Sequence, residues 1–367
     1  MRGVNLGNWL VLEKWMNPAF FEGTGAEDET YFCMNQSDEM KRARYEVHRN
    51  NYITNRDFEN IAAMGFDAVR IPVPFFLFED VGPYISCVRY LDYAFDWAEE
   101  YGLKILVDLH TVPGSQNGTD NSGLNGICVW ANHKEYVDFT LDVLEKIALR
   151  YGNRKCLYGI EVLNEPMCSD TEVAAFMNIQ MISQQYCPVN QELAKENSNY
   201  SLAFLKEYYR ESYRRIRKHM PPEKCIVFSD AFCIGIWEDF FKEDGFENIV
   251  LDTHQYLTLD EMMDPAPNTI EKYKGIIARI KSNLQTTSQK LPVIVGEWCL
   301  QTSALGLNEM SAEEKRDFYN TLYQLYMDAF RECEGSFYWS YKLNHVDPSM
   351  YAWDAQRCIN NKWMKGV

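Results

Sequence analysis

Two glutamates stand at the ends of short apolar segments, where a carboxyl group could take part in catalysis. Glu165 follows the segment Leu157–Leu163, and Glu297 follows the segment Pro292–Gly296. Paired carboxyl groups on opposite sides of a site can cleave a glycosidic bond, one donating a proton and the other acting as a nucleophile or base. Glu165 and Glu297 are therefore the candidates for such a pair.

Further polar and aromatic residues occupy similar positions in other apolar segments. Asp108 and His110 lie two residues apart, as do His254 and Tyr256, and side chains two residues apart on a strand point to the same side. The complete set on these segments is Arg70, Asp108, His110, Asn164, His254, Tyr256 and Trp339. Because these residues come from separate segments, we expect a fold that brings their side chains to one place.

The segments that carry these residues alternate with amphipathic stretches. Eight short apolar runs are typical of strands: Gly3–Leu6, Ala68–Val73, Lys104–Leu109, Leu157–Leu163, Cys225–Ser229, Ile249–Thr253, Pro292–Gly296 and Gly335–Tyr341. Stretches between them have apolar residues at helical spacing: Arg56–Met64, Leu91–Glu100, Lys134–Tyr151, Tyr200–His219, Thr269–Leu284 and Ala312–Phe330. This alternation favours an α/β fold, a (β/α)8 TIM barrel, and we expect residues 1–367 to form a single catalytic domain. No glycine fingerprint follows the first strand, which argues against a dinucleotide-binding fold.

Long segments follow several of the predicted strands. They are Gly7–Asn55, Thr111–Asn132, Pro166–Asn199, Leu257–Asn268 and Cys299–Glu309. In a barrel, the segments after the strands form the C-terminal face, where active sites lie. The sequence therefore predicts a pocket walled by long loops.

The charge and hydropathy of the chain argue against two classes of partner. Lys and Arg total 36 against 53 Asp and Glu, a net charge of −17, so binding of nucleic acid through phosphate contacts is not expected. No apolar run approaches the roughly 20 residues that span a bilayer, so no membrane partner is expected either. We expect a monomer whose partner is its substrate.

Eleven cysteines are scattered along the chain without a CxxC pair. An odd number cannot all pair within one chain, so reduced thiols buried in the core are expected. The histidines and cysteines also lack the close spacing of a zinc site, so no metal is expected. The first residues do not form a signal segment, which predicts a cytoplasmic protein, or a secreted one if a leader has been removed.

Five stretches of sequence, taken in order, resemble the motifs of one enzyme family. Residues 2–13 read RGVNLGNWLVLE, residues 113–118 read PGSQNG, and residues 120–124 read DNSGL. Residues 163–166 read LNEP, and residues 296–298 read GEW. Over nearly its whole length the chain resembles glycoside hydrolase family 5, and within that family the fungal-type exo-β-1,3-glucanase branch.

The resemblance implies a role for each matching residue. It places the proton donor, the general acid/base, on Glu165 and the nucleophile on Glu297. As groups that support catalysis it implies Arg70, Asn164, His254 and Tyr256, and as sugar-binding groups Glu13, Trp15, His110, Asp120, Asn121 and Trp339. The family needs no metal or other cofactor, so none is expected.

The two glutamates are expected to differ in protonation. An Arg or Tyr donor beside Glu297 would favour its ionised form, and the charge of Glu297 would then raise the pKa of Glu165 and keep it protonated as an acid. The implied activity is release of glucose from the nonreducing ends of β-1,3-glucan with retention of configuration. Another β-glucan or β-glucoside hydrolase, such as a β-1,4-endoglucanase or a glycolipid β-glucosidase, stays open as an alternative. A noncatalytic glycan-binding barrel is disfavoured, because it would have no need of both glutamates.

Two positions depart from the pattern of this branch. The branch usually has aromatic residues before the Asp-Asn-Ser-Gly run and just beyond the His-x-Tyr motif, where they clamp the sugar on the leaving-group side. This chain has Thr119 and Leu259 at those positions. The sequence therefore predicts the cleavage machinery without an aromatic clamp.

Overall fold

The barrel is built from eight parallel strands in the order of the sequence. In this computed structural model, which describes residues 1–243 and 245–365, β8 pairs with β1 and closes the sheet. The strands are β1 (Arg2–Asn5), β2 (Ala68–Val73), β3 (Lys104–Leu109), β4 (Leu157–Glu161), β5 (Cys225–Ser229), β6 (Ile249–Gln255), β7 (Val293–Trp298) and β8 (Gly335–Tyr338). The expected (β/α)8 TIM barrel is therefore confirmed.

Fourteen α-helices connect or follow the strands in the described part of the chain. They are α1 (Pro18–Phe21), α2 (Glu29–Asn35), α3 (Asp38–Asn51), α4 (Asn55–Ala63), α5 (Val88–Tyr101), α6 (Lys134–Tyr151), α7 (Ile179–Tyr186), α8 (Gln191–Ala194), α9 (Leu202–Arg217), α10 (Glu238–Glu243), α11 (Leu257–Met263), α12 (Ile270–Ser288), α13 (Ala312–Ala329) and α14 (Ala355–Asn360). The six expected helices are confirmed, α6 with the expected ends and α4, α5, α9, α12 and α13 with shifted ends. Helical spacing alone does not predict the short helices in the loops, α10 or α14. Among the residues described, no helix is long and apolar enough to cross a bilayer.

Several strand ends differ from the sequence expectation. The observed ends are Glu161 for β4, Gln255 for β6, Trp298 for β7 and Tyr338 for β8, in place of Leu163, Thr253, Gly296 and Tyr341. β6 and β7 run on because their pairing continues past a register shift, where His254 pairs with Glu297. β4 ends at Glu161, which is the last of its residues to pair with the neighbouring strands, with Asp108 on β3 and Val227 on β5.

Inside the barrel, a layer of apolar side chains lies below a layer of charged ones. The apolar layer is a buried cluster of Ala68, Leu106, Val227, Val250, Ile294 and Phe337. Two residues further along their strands, on the same side, stand Arg70, Asp108 and Asp252, all fully buried. Arg70 therefore lies in the middle of β2 rather than at its end. Another step of two residues reaches His110 and His254, so the strand period itself carries polar side chains to the C-terminal face.

The long segments after the strands pack on one another over that face. Thr30, in the segment after β1, donates to the carbonyl oxygen of Gly123 after β3 through its backbone nitrogen at 3.0 Å and its hydroxyl at 2.6 Å. In the segment after β4, Ile179 packs so closely on Gly118 that a Cβ there would lie 2.5 Å from its side chain. Gly118 also has a positive φ of 78°, so glycine is required at this contact.

All eleven cysteines lie in the described part of the chain, and each is free. Seven of them are buried, which agrees with the expectation of reduced core thiols. Burial raises the pKa of the Cys87 thiol to about 12, and it also raises the pKa of Cys299, two residues beyond Glu297, well above its ordinary value. These thiols are therefore protonated and poor nucleophiles at neutral pH.

Candidate active site

Glu297 is held by two donors from different strands. Arg70 of β2 donates through Nη1 to Glu297 Oε1 at 2.8 Å, and Tyr256, just beyond β6, donates through its hydroxyl to Oε2 at 2.7 Å. Both carboxylate oxygens are thus engaged, and the side chain is 4 % exposed. The orientation of Glu297 is fixed before any substrate binds, which lowers the entropic cost of an attack by this group.

Glu165 lies beyond the end of β4 with a left-handed backbone, at a φ of 43°. Such a conformation costs a non-glycine residue about 1–3 kcal/mol and persists where the surroundings hold it. Asn117 donates to its carbonyl oxygen at 3.1 Å, and Asn121 donates to Oε2 at 2.5 Å. His254 Nδ1 lies 2.7 Å from Oε1. The segment after β3 therefore holds the backbone carbonyl and Oε2 of Glu165, and His254 of β6 holds its Oε1.

The two carboxyl groups approach one another closely across the barrel axis. One carboxylate oxygen of Glu165 and one of Glu297 lie within 4.8 Å of each other, with His254 between them. Retaining glycosidases have carboxyl groups about 5–5.5 Å apart, whereas inverting enzymes need about 6.5–9.5 Å to seat a water molecule. The observed approach matches the retaining geometry.

The pKa values of the two glutamates are shifted in directions opposite to those expected. Burial alone would raise the pKa of Glu165, but the hydrogen bond and positive charge of His254 outweigh it, and the net effect is a lowered pKa. Burial opposes charge on His254 too, yet the carboxylates of Glu297 and Asp252 raise its pKa well above the ordinary value. Burial raises the pKa of Glu297 in spite of the opposing charges of His254 and Arg70. These directions favour a protonated His254 beside an ionised Glu165, the reverse of the expected arrangement.

Arg70 links Glu297 to the charged layer of the barrel. Its Nε donates to Glu161 Oε2 at 2.8 Å, its Nη2 donates to Asn164 Oδ1 at 2.9 Å, and its Nη1 also reaches Asn5 Oδ1 at 3.0 Å. Burial opposes the charge of Arg70, but the carboxylates of Asp108, Glu161 and Glu297 raise its pKa. The guanidinium is therefore charged at neutral pH, and its planar, rigid N–H groups fix the positions of the acceptors.

Glu13 and Trp15 lie together at one end of the site. Trp15 Nε1 donates to Glu13 Oε2 at 2.8 Å, while burial and the nearby carboxylate of Asp120 raise the pKa of Glu13. The Trp15 ring lies 5.1 Å from that of Trp353, which in turn lies 5.4 Å from that of Tyr256. These contacts form a continuous wall from Glu13 to Tyr256, which donates to Glu297.

Buried polar atoms without protein partners point to a polar ligand. Asp108 Oδ2 lies 2.5 Å from His110 Nδ1 and fixes the imidazole, whose face stacks on Trp339 with ring centroids 5.6 Å apart. His110 Nε2 and Asn164 Nδ2 are buried and have no hydrogen-bond partner in the protein. Because unpaired buried polar atoms cost free energy, these two atoms fit hydroxyl groups of a bound sugar.

Two groups of side chains have atoms close enough to hold a metal ion. One is Glu165, His254 and Glu297, and the other is Glu161, Asp252 and His254. In both groups, carboxylate oxygens already accept hydrogen bonds from Arg70, Tyr256 or Asn121. These carboxylate oxygens are thus already bonded to N–H and O–H donors, which would compete with a metal ion for them.

The structure brings all of the sequence-predicted site residues to this face, and it adds others that the sequence analysis missed. Asn5 and Glu161 accept hydrogen bonds from Arg70, and Tyr186 of α7 donates to Asp120, a carboxyl whose pKa burial raises in spite of this hydrogen bond. Asn5 could have been found, because it lies in the first motif. Tyr186 carries no local signal, since a long segment folds back to place it.

Comparison with known proteins places the chain among glycosidases. Residues 33–331 match the family model for cellulase, glycosyl hydrolase family 5. The chain is similar to a glucan 1,3-β-glucosidase of Lachancea kluyveri, with 29 % identity over 99 % of this chain and 77 % of that protein. It is also similar to a probable glucan 1,3-β-glucosidase A of Aspergillus terreus, with 35 % identity over 81 % of this chain. That match spans 65 % of the relative, less than two thirds of its length.

Solved structures share the fold at lower identity. A rutinosidase from Aspergillus niger superposes with a TM-score of 0.75 and 21 % identity, over 99 % of this chain and 97 % of that one. Endoglucanase Cel5A from Thermotoga maritima gives a TM-score of 0.55 and 16 % identity, over 98 % of this chain and 96 % of that one. These likenesses extend over the whole barrel and concern the fold alone.

Proposed function

We propose that this chain, which belongs to glycosyl hydrolase family 5, is a retaining exo-β-1,3-glucanase that releases glucose from the nonreducing ends of β-1,3-glucan. The observation that carries the proposal is the approach of Glu165 and Glu297 within 4.8 Å at the C-terminal face. Similarity to glucan 1,3-β-glucosidases supports the choice of linkage. We further propose that residues 1–367 form one catalytic domain and act as a monomer.

In the proposed mechanism, Glu297 is the nucleophile. Its oriented carboxylate attacks C1 of the terminal glucose as the bond to the leaving oxygen breaks, and a covalent glucosyl ester forms. Arg70 and Tyr256 hold the attacking group at 2.8 and 2.7 Å, so little reorganisation is needed at the moment of reaction. Water then attacks C1 of the ester from the other side, which restores the β-configuration.

Glu165 serves as the acid in the first step and as the base in the second. The proton that it gives to the leaving oxygen comes from the pair with His254, whose Nδ1 lies 2.7 Å from Oε1. As Glu297 loses its negative charge in forming the ester, the attraction that holds the proton on His254 weakens. In the second step, Glu165 takes a proton from the attacking water.

The exo action follows from the wall at one end of the site. Glu13, Trp15 and Trp353 close that end, and the buried atoms His110 Nε2 and Asn164 Nδ2, which have no protein partner, are available to the sugar. A single terminal sugar fits in such a blind pocket, with Trp339 as its floor and Asp120 and Asn121 as further hydroxyl partners. An internal stretch of glucan would collide with the wall.

Product analysis tests both parts of the proposal. Hydrolysis of laminarin followed by NMR is expected to give β-glucose as the first anomer, and glucose from the earliest time points with little loss of viscosity. An α-anomer would contradict retention. A ladder of oligosaccharides at early times would contradict exo action and favour an endoglucanase.

Variants of the two glutamates test the assignment of roles. Glu297→Ala is expected to remove nearly all turnover, whereas azide should restore activity to Glu165→Ala on a β-glucoside with a good leaving group, because acid assistance is then dispensable. Glu313→Ala, an exposed glutamate at the start of α13, is the matched control and should behave like the parent. Parent-like hydrolysis by both active-site variants would show that the site lies elsewhere.

A further inference from the structure

Gly296 is an extra residue in β7 relative to the neighbouring strands. Val295 of β7 pairs with Thr253 on β6. Two residues further along β7, Glu297 pairs with His254, which is the very next residue of β6, so Gly296 has no partner there. The register against β8 shifts within the same stretch of β7. An extra residue of this kind is a β-bulge, a feature that redirects side chains beside active sites.

The bulge turns the side chain of Glu297 into the barrel. Ile294 belongs to the apolar layer inside the barrel, and side chains alternate along a strand, so regular pairing would place position 296 inside and Glu297 outside. One extra residue reverses the side of the residues that follow it. Glu297 Oε1 thereby comes within 2.8 Å of Arg70 Nη1 inside the barrel. The approach of Glu297 to Glu165 therefore depends on this bulge.

Two buried side chains bind the backbone of the bulge. Asp252 of β6 accepts through Oδ1 from the backbone nitrogen of Gly296 at 2.6 Å, and Asn5 of β1 donates through Nδ2 to the carbonyl oxygen of Gly296 at 2.9 Å. A Cβ at position 296 would lie 1.9 Å from Asp252 Oδ2. The carboxylate thus gives the N–H of the bulge a partner, and only glycine leaves room for it there.

The second oxygen of Asp252 faces His254. Oδ2 lies 3.6 Å from His254 Nε2, and both atoms are buried without a hydrogen-bond partner in the protein. The same oxygen lies 3.8 Å from Arg70 Nε. The other ring nitrogen of His254, Nδ1, lies 2.7 Å from Glu165 Oε1. The imidazole thus connects the Asp252 carboxylate with the proposed acid, and the nearby negative charge favours a charged imidazole.

The other carboxyl groups around His254 do not replace Asp252. Glu297 Oε2 lies 3.6 Å from His254 Nδ1, but the charge of Glu297 disappears when the glucosyl ester forms. Burial raises the pKa of Asp230, after β5, to about 7, so this carboxyl is only partly ionised at neutral pH. Burial also raises the pKa of Glu161, on β4, well above its ordinary value. Asp252 is therefore the counter-charge that His254 keeps through both steps of the reaction.

We infer that Asp252 is a positioning residue for both glutamates. It fixes the bulge that turns Glu297 into the barrel, and its charge keeps a proton on the pair of His254 and Glu165. The inference rests on the proposed function, because it needs Glu297 as the nucleophile and Glu165 as the acid. Asparagine at position 252 separates the two contributions: its amide oxygen can still accept from Gly296, but it carries no charge.

The pH dependence of kcat/KM for Asp252→Asn on laminaribiose tests the effect of the charge. Hydrolysis of this substrate needs a proton on the acid, so activity falls as the pH rises through the pKa of the pair. A nearby opposite charge shifts a pKa by about 1–3 units, and removal of the Asp252 charge lowers the pKa of the pair, so the basic limb should move to lower pH by about that amount. On 2,4-dinitrophenyl β-glucoside, which needs no acid assistance, kcat/KM should stay close to that of the parent because the bulge is kept.

Asp252→Ala tests the effect on the bulge. This variant also loses the acceptor for the Gly296 N–H, so Glu297 is misplaced, and kcat/KM on the dinitrophenyl glucoside should fall about 10–100-fold below that of Asp252→Asn. Equal activity of the two variants on that substrate would overturn the positioning of Glu297 by Asp252.

A buried aspartate outside the site provides the matched control. Asp28 also accepts from backbone nitrogens, at 2.8 and 2.9 Å, and Asp28→Asn should leave both limbs of the pH profile in place. An unmoved basic limb in Asp252→Asn, or equal losses on the two substrates, would overturn the inference, since a purely structural carboxylate gives these results. Asp252→Ser, smaller and also uncharged, must show the same limb shift if Asp252→Asn does not fold. If Glu165→Ala and Glu297→Ala both hydrolyse laminaribiose like the parent, the proposed function fails first.

Discussion

Replacing Tyr256 by phenylalanine removes one hydrogen bond from the nucleophile and leaves the rest of its surroundings in place. The hydroxyl donates to Glu297 Oε2 at 2.7 Å, while Arg70 continues to donate to Oε1 at 2.8 Å. A hydrogen bond to a charged group contributes about 1.5–3 kcal/mol, and one pKa unit corresponds to about 1.4 kcal/mol. The pKa of Glu297, which burial already raises, should therefore increase by about 1–2 units in Tyr256→Phe.

The pH dependence of kcat/KM on an aryl β-glucoside measures this change. Glu297 must be ionised to attack, so activity falls as the pH drops through its pKa, and the acidic limb of Tyr256→Phe should move to higher pH by the same 1–2 units or so. At the pH optimum, kcat/KM should fall about 10–100-fold. Tyr151→Phe removes a phenol that donates to Asp92 at 2.8 Å, outside the site, and serves as the control. A lower kcat/KM with an unmoved acidic limb would refute the reasoning, because the phenol would then act only through packing.

Two further substitutions test the sugar pocket. Asn164→Ala should lower kcat/KM for a β-glucoside about 10-fold or more, since its free Nδ2 is available to the 2-hydroxyl, but should have little effect on the 2-deoxyglucoside; an equal loss on both substrates would contradict this role. Gly7→Ala would place a Cβ 2.9 Å from Cζ2 of Trp339, so thermal denaturation should show a loss of about 1–3 kcal/mol and KM should rise as the pocket floor shifts. Gly275→Ala, in α12 with open space around it, is its control and should stabilise the protein slightly.

The strands and the positions of Glu165 and Glu297 could be predicted from the sequence because their signals are local. Strands of a parallel barrel are buried on both faces, so each reads as a continuous apolar run, and β2 is buried at every position. A charged residue within such a run, such as Arg70, or directly after one, such as Glu165, is conspicuous. The motifs around both glutamates then assigned their roles through the family resemblance.

The protonation of the site could not be predicted, because it depends on distances between residues far apart in the chain. Sequence position places Glu297 near Glu165 but does not place the His254 imidazole 2.7 Å from the acid. That contact reverses the expected direction of the pKa of Glu165. Tyr186 was missed for the same reason, since it reaches the site through a long segment whose path has no local pattern.

The hydrogen bonds of Arg70 make enzymatic activity a report on barrel closure during folding. The guanidinium binds Asn5 on the first strand, Glu161 on the fourth and Glu297 on the seventh, so its acceptors come from both halves of the chain. A folding intermediate that has formed only the first four strands contains Glu165 but lacks Glu297. Arg70 then has no carboxylate from the seventh strand with which to pair. Recovery of turnover after dilution from denaturant should therefore coincide with the final pairing of β1 with β8, later than the recovery of helical circular dichroism.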